Sequence, residues 1–260
     1  MSGAEGPGLQ SSTERPSRSG NTVPEQRVTT MFDSIAPVYD RMNTLMTAGL
    51  DGRWRRAAAR AAGLSRGGAA LDVACGTGKL TAALASIVGP EGRVVGVDLS
   101  EAMLDQARRA FAERVGVEFR LGNALALPVD DGAFDAATIA FGLRNLSSFE
   151  DGFREMARGV RTGGRVVCLE LSVPRRRVAA LVYKSVLRAV APIMGVFFRR
   201  GAAYAYLPHS LNGFPAAEEI ADTMRRAGLR DVGFRRLAFG AVAIHIGIAD
   251  HGDSGRRNEG

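Results

Sequence analysis

The apolar runs along the chain predict an α/β fold: a seven-stranded sheet of five parallel strands closed by a C-terminal antiparallel hairpin. Two observations carry this. Short, near-continuous apolar runs recur at Ala69–Cys75, Arg93–Asp98, Val117–Leu121, Phe134–Phe141 and Arg165–Leu171, and stretches of helical periodicity lie between them at Leu80–Val88, Glu101–Glu113 and Phe149–Val160. Strands apolar on both faces and alternating with helices make a parallel sheet covered on both sides. Two final strand-like runs, Val232–Phe239 and Ala241–Ile248, meet at Gly240 and read as a hairpin.

The flanking elements follow the same logic. From Val28 to about Ala62 the spacing of Phe32, Ile35, Val38 and Met42 is helical, so N-terminal helices precede the sheet. Residues 1–27 are rich in Gly, Ser, Pro and Arg and are expected to form a disordered tail, as are residues 250–260. The domain then spans 28–249, with residues 174–215 expected to form a helical lid inserted before the hairpin. No run is long enough to span a bilayer as a helix: the longest apolar stretch, Val178–Phe198, carries Lys184, Arg188 and Pro192.

Composition narrows the function little. The formal net charge of +7 suits nucleic acid, an anionic membrane or simply an Arg-rich protein. Basic residues without interleaved aromatics or an added RNA-binding module argue against a nucleic-acid partner. Cys75 and Cys168 form no CxxC pair, so no zinc site or disulfide framework is expected, and a reducing, cytoplasmic location is the simplest account.

The chemistry is concentrated in Leu71-Asp72-Val73-Ala74-Cys75-Gly76-Thr77-Gly78, which ends the first strand. Gly76 and Gly78 permit a tight turn and a close approach to a ligand. A dinucleotide fingerprint needs a third glycine where Thr81 stands, and that glycine packs the helix beneath a pyrophosphate. A P-loop fails too, because Val73 occupies the first glycine position and Leu80 the hydroxyl position. S-adenosylmethionine has no phosphates. It needs a glycine turn beside its amino-acid part and an acid on the next strand for the ribose diol. Asp98 ends the second strand, twenty positions after Gly78, and Asn123-Ala124 follows the third, where an amide meets an adenine edge. With Thr77 and with Ala140 at the end of the fourth strand, these residues form the expected cofactor set. The fold is then the Rossmann-like, class I S-adenosylmethionine methyltransferase variant of the doubly wound sheet.

Three further stretches carry a family resemblance. They are Phe32-Asp33-Ser34-Ile35-Ala36-Pro37-Val38-Tyr39-Asp40-Arg41-Met42-Asn43 with Trp54, Phe141-Gly142-Leu143-Arg144-Asn145, and Gly163-Gly164-Arg165 with Leu169-Glu170-Leu171-Ser172. A fainter echo follows at Tyr204–Leu211 and Phe214-Pro215. The chain resembles the quinone-biosynthesis C-methyltransferases of the UbiE/MenG type. The resemblance implies methyl transfer to a ring carbon of a prenylated hydroquinone, typically demethylmenaquinol to menaquinol, and it carries cofactor contacts onto Thr77, Asp98, Asn123 and Ala124. Departures accompany it. Lys79 stands where the family has Asp, Asp51 replaces a His, Thr47 replaces a Ser, and Gly159–Thr162 replaces the usual run before Gly163. Fold and cofactor are little affected by these changes. They leave open a paralogue methylating carbon or oxygen of another quinone or aromatic metabolite, and a non-catalytic scaffold that binds S-adenosylmethionine.

A ring carbon is nucleophilic only beside an ionised or polarised hydroxyl, so the expected acceptor is a lipophilic quinol with a polar group near its oxygen. Arg144 and Asn145, after the fourth strand, are the first candidates for that group, with Tyr39 and Asp33 from the N-terminal helices. Glu170 reads either as a pocket acid or as a partner for an arginine. His209 is a candidate base in the lid, and His245 reads as a structural histidine. Finally, residues 175–200 place Arg175–Arg177 and Arg199-Arg200 around an apolar stretch. This suits peripheral contact with the inner face of a membrane and entry of a prenyl tail. The competing reading is a lid helix packed on the domain or on a second copy in a homodimer.

Overall fold

The computed structural model of the chain describes residues 20–172 and 214–252. Two N-terminal helices, α1 (Glu25–Met46) and α2 (Leu50–Ala61), precede β1 (Ala69–Val73), α3 (Lys79–Val88), β2 (Arg93–Asp98), α4 (Glu101–Ala110) and β3 (Val117–Leu121). Then follow β4 (Phe134–Ala140), α5 (Phe149–Gly159), β5 (Val160–Leu171), α6 (Ala217–Arg226), β6 (Arg230–Leu237) and β7 (Val242–Ile248). The seven strands form one sheet in the order β3-β2-β1-β4-β5-β7-β6. The first five are parallel, and β7 pairs antiparallel with both β5 and β6. The expected hairpin therefore joins the sheet through its second strand.

Successive residues of a strand face opposite sides, and the two cores divide on that parity. Ala70, Val94, Val167 and Ile244 pack under α2 and α3. Leu71, Val95, Val166 and Cys168 pack under α5 and α6, where Phe153, Met156, Ile220 and Met224 fill the layer. α1 lies apart on α4, with Ile35, Ala36 and Met42 against Met103. The helix starts are conventional for α4 and α5: Ser100 and Ser148 accept hydrogen bonds from the Met103 and Asp151 amides.

Several element bounds differ from expectation. Glu25–Arg27, assigned to the tail, form the first turn of α1, and Asn21 donates its backbone N–H to the Leu146 carbonyl at 2.7 Å. The helical region from Val28 divides into the expected N-terminal helices where Ala48 and Gly49 take positive φ. β5 starts at Val160 instead of Arg165, because Val160 pairs with Phe134 directly after α5 and Gly163, at φ +80°, absorbs the irregularity. No element is predicted for Ala217–Arg226, which forms α6 with Ile220, Ala221 and Met224 at helical spacing on its buried face. The lid over 174–215, apart from Phe214 and Pro215, lies outside the described residues, as do His209 and the membrane-contact segment 175–200. No helix among the described residues is long and apolar enough to cross a membrane.

Candidate functional site

Open α/β sheets bind ligands beyond the carboxyl ends of their strands, beside the point where strand order reverses. Here that point is between β1 and β4. A cleft opens there, lined by Ala74 and Gly76 after β1, Asp98 and Ser100 after β2, Ala124 after β3, and Ala140, Phe141 and Asn145 after β4. α1 closes one side with Val28, Phe32 and Tyr39, whose rings meet edge-on at 5.8 Å between Phe32 and Tyr39.

The loop after β1 is shaped by unusual backbone. Gly76 has φ +57°, and a Cβ built on it would meet nothing within 4 Å, so its backbone faces open space in the cleft. Its N–H donates to Asp98 Oδ2 at 2.7 Å, while Ser100 N–H donates to Oδ1 at 2.9 Å. Burial raises the Asp98 pKa, and these two amides oppose the shift. Ala74 and Phe141 also take positive φ, +50° and +59°. Bulky residues rarely adopt that region, and its cost is characteristic of ligand sites.

The expected cofactor residues divide by position. Gly76, Asp98, Ala124 and Ala140 line the cleft. Thr77 and Asn123 support it instead: Thr77 Oγ1 donates to Asp40 Oδ1 at 2.8 Å, and Asn123 Nδ2 donates to Glu25 Oε2 at 3.1 Å. Both bonds reach α1. Gly78 begins α3 at φ +83°, where a Cβ would come within 2.9 Å of Phe111, so its glycine is required by packing. Lys79, a cation at a helix N-terminus where the dipole disfavours it, sits 3.7 Å from Asp40 Oδ1. Asp33 accepts from Ser100 Oγ at 2.5 Å. These polar contacts strap α1 across the cleft.

Arg144 and Asn145, adjacent in sequence, face different spaces. Asn145 lines the cleft with Tyr39. Arg144 lines a second cavity of about 130 Å³ beyond Phe141, with Thr47, Asp51, Trp54 and Arg55. Thr47 and Asp51, the two departures in the first signature, thus both face this cavity. Glu170, fully buried on β5, pairs with Arg144 Nη1 at 2.6 Å and resolves as an arginine partner. Phe141 lines both spaces, and Arg55 lies 5.1 Å from its ring centre. His245 is structural in its setting: fully buried, with Nε2 2.9 Å from the Ala217 carbonyl and its pKa lowered by burial to about 4.

Asp72 supports the loop from below, a place the sequence reading passes over although an acid inside an apolar strand is a visible signal. It is buried beneath the loop, accepts from Thr81 Oγ1 at 2.6 Å and from Thr138 Oγ1 at 3.1 Å, and burial lifts its pKa to about 6. Asp40, Asp51 and Arg55 were missed because their roles depend on how α1 and α2 lie on the sheet. Cys75 and Cys168 are buried free thiols, and no group of His, Cys, Asp or Glu among the described residues is arranged to hold a metal.

Comparison with known proteins agrees with this geometry. The chain is 39% identical over 227 residues to the demethylmenaquinone methyltransferase of Shouchella clausii, covering 86% of this chain and 97% of that one. It is 40% identical over 227 residues to the ubiquinone/menaquinone biosynthesis C-methyltransferase UbiE of Geobacter sulfurreducens, covering 85% and 88%. Among solved structures, a methyltransferase in complex with the Haloferax volcanii Trm112 activator superposes with a TM-score of 0.62 at 19% identity, covering 86% of this chain and 98% of that one. An S-adenosylmethionine-dependent methyltransferase from Aquifex aeolicus gives 0.60 at 18%, covering 81% and 98%. The structural likenesses show the class I, Rossmann-like methyltransferase fold. The pattern of the ubiE/COQ5 methyltransferase family matches residues 21–249, and the chain belongs to that family.

Proposed function

We propose that this protein is an S-adenosylmethionine-dependent C-methyltransferase acting on a ring carbon of a prenylated hydroquinone, with demethylmenaquinol as the first candidate acceptor. The observation that carries the reading is the pairing of two spaces across Phe141: a cleft at the glycine loop, and a second cavity lined by Arg144, which Glu170 holds from behind. The names of relatives at 37–40% identity over nearly their whole length support the acceptor class.

The residues present fit the cofactor. The backbone at Gly76 is open to the cleft, Asp98 offers a carboxylate at its wall, and Ala124 and Ala140 leave room for a flat ring. Bound there, S-adenosylmethionine would supply an electrophilic methyl group. The chain's own residues then orient and activate the acceptor. Asn145 and Tyr39 offer an amide and a hydroxyl at the end of the cleft. Arg144, held by Glu170, presents a positioned guanidinium beside the second cavity, where it can donate to a ring oxygen. α1 excludes water from one side.

The test is turnover of purified protein with S-adenosylmethionine and demethylmenaquinol under reducing conditions, with the product's methyl carbon located by NMR. Ring methylation is the expected result. O-methylation would move the reading to an aromatic-metabolite methyltransferase, and cofactor binding without turnover on any hydroquinone would overturn it in favour of a scaffold. With this reading goes a cytoplasmic enzyme that meets the inner membrane face through residues 175–200. Absence of co-sedimentation with anionic liposomes at low salt would remove that contact.

A further inference from the structure

We infer that Asp51 and Arg55 form a hydroxyl-recognition pair in the second cavity, one that takes an aromatic ring bearing a free hydroxyl and rejects the same ring carrying a carbonyl or an ether. The inference rests on the proposed function only for the identity of that ring as the methyl acceptor.

Both residues lie on α2, one turn apart, and their side chains are 5% and 9% exposed. Asp51 is partly satisfied: Thr47 Oγ1 lies 3.2 Å from Oδ1. Its other oxygen, Oδ2, and Arg55 Nε stand 3.8 Å apart, too far for a hydrogen bond, and neither has a hydrogen-bond partner among the described residues. A buried acceptor and a buried donor left in this state are costly, and native interiors leave few of them. Both residues line the same cavity, with these two atoms buried behind its surface. The walls beside them are aromatic, with Trp54 and Phe141 ring centres 6.4 Å apart. The guanidinium is fixed by its position over Phe141.

These features define the ligand group. It must give a proton to Asp51 Oδ2 and accept one from Arg55 Nε, and it must be attached to something flat and apolar. A phenolic or hydroquinone hydroxyl does both. A quinone carbonyl or a methyl ether can only accept, which leaves the Asp51 oxygen unmatched. The pair therefore distinguishes the reduced ring from the oxidised one by hydrogen-bond polarity alone. Polar sites of this kind discriminate strongly because a mismatched ligand buries an unpaired group.

The chain contains one tryptophan, Trp54, and it lines this cavity, so its fluorescence reports occupancy directly. The experiment titrates the full-length protein, saturated with S-adenosylhomocysteine, with 1,4-dihydroxynaphthalene or with 1,4-dimethoxynaphthalene under nitrogen. The diol is expected to bind about ten- to hundred-fold tighter, the range for a hydrogen bond to a charged group. Asp51→Asn keeps the shape and the Thr47 contact but turns the Oδ2 position into a donor, so the preference should fall below about threefold. Arg55→Lys keeps the charge and displaces the donor. It should reduce the preference as well, and it stands as the second variant should Asp51→Asn lose its cooperative thermal transition. A wild-type protein that binds both probes equally, or a preference unchanged in the folded variants, overturns the inference. Methyl transfer to a hydroquinone is scored separately. Its absence in the wild type refutes the proposed function while the diol preference can stand; transfer together with an unchanged preference in Asp51→Asn refutes this pair alone.

Discussion

Asp72 should make the protein less stable at neutral pH than at mildly acidic pH, and Asp72→Asn should abolish that part of the dependence. The carboxyl group sits in the middle of β1 and is 1% exposed. Burial lifts its pKa from 3.8 to about 6, against the opposing effects of the Thr81 hydrogen bond, the Arg55 charge and the Thr138 hydrogen bond. The folded value lies above the unfolded one, so the native state binds the proton more tightly. The stabilising contribution is complete below about pH 3.8 and is lost as pH rises through 6. A shift of about two units corresponds to about 3 kcal/mol, of which about 2–3 kcal/mol falls between pH 4 and pH 7.5.

Asparagine is a clean replacement because the hydrogen bonds can be redrawn around it. Thr138 Oγ1 lies 3.2 Å from the Leu71 carbonyl as well as 3.1 Å from Asp72 Oδ1. It can donate to Leu71 and accept from an amide at position 72, while Thr81 continues to donate to the amide oxygen. Urea unfolding of both proteins at pH 4 and pH 7.5 gives the double difference, in which all other titrating groups cancel. The expected value is about 2–3 kcal/mol, with the wild type losing ground to the variant as pH rises. A difference that stays constant within about 0.5 kcal/mol would show that the site holds its charge at little cost, and would refute the desolvation reasoning.

Three further outcomes follow from the same structure. Arg144→Ala leaves Glu170 buried without its cation and should cost about 3–5 kcal/mol in chemical denaturation, while the added change Glu170→Gln should recover part of that loss. Phe141→Gly should be more stable than Phe141→Ala by about 1 kcal/mol in thermal melts, the reverse of the usual order, because glycine accepts φ +59° without a Cβ penalty. Asp40→Ala removes the acceptor of Thr77 and the partner of Lys79, and should weaken S-adenosylhomocysteine binding about tenfold by calorimetry; the bond to Thr77 carries most of this, since the Lys79 pair is about one-third exposed.

The sheet was legible in the sequence because its signal is local. Val94, Val95 and Val97 need apolar surroundings on both faces wherever the chain goes, and β2 and β3 begin and end where their apolar runs do. Asp98 was legible for a related reason: a residue at the end of a parallel strand is delivered to the ligand edge by topology alone. Arg144 and Asn145 were legible as site residues but not as residents of different spaces. That separation arises in a single turn after β4, where Phe141 adopts a backbone conformation its side chain gives no reason to expect. Asn123 illustrates the opposite limit. It follows the third strand as expected, but its amide is drawn to Glu25, a residue assigned to the tail because a lone acid at a helix start resembles any other polar residue.

The attachment of α1 explains why the cover over the cleft is polar. Of its 22 residues, only Val28, Ile35, Ala36 and Met42 are buried. Phe32, Val38, Tyr39 and Met46 add partly buried apolar contact on the same side, and helical stability in proteins comes mainly from packing of an apolar face. Polar bonds add to this packing: Asp33 to Ser100, Asp40 to Thr77, and Glu25 to Asn123 and Ser147. Each of these bonds ends on the rim of the cleft, on a loop that follows β1, β2, β3 or β4. Three of these bonds are partly buried and only the one to Ser147 is exposed, so each contributes about 1 kcal/mol to holding the helix. With the apolar contacts on α4, these four carboxylate contacts hold α1 where Phe32 and Tyr39 form one wall of the cleft.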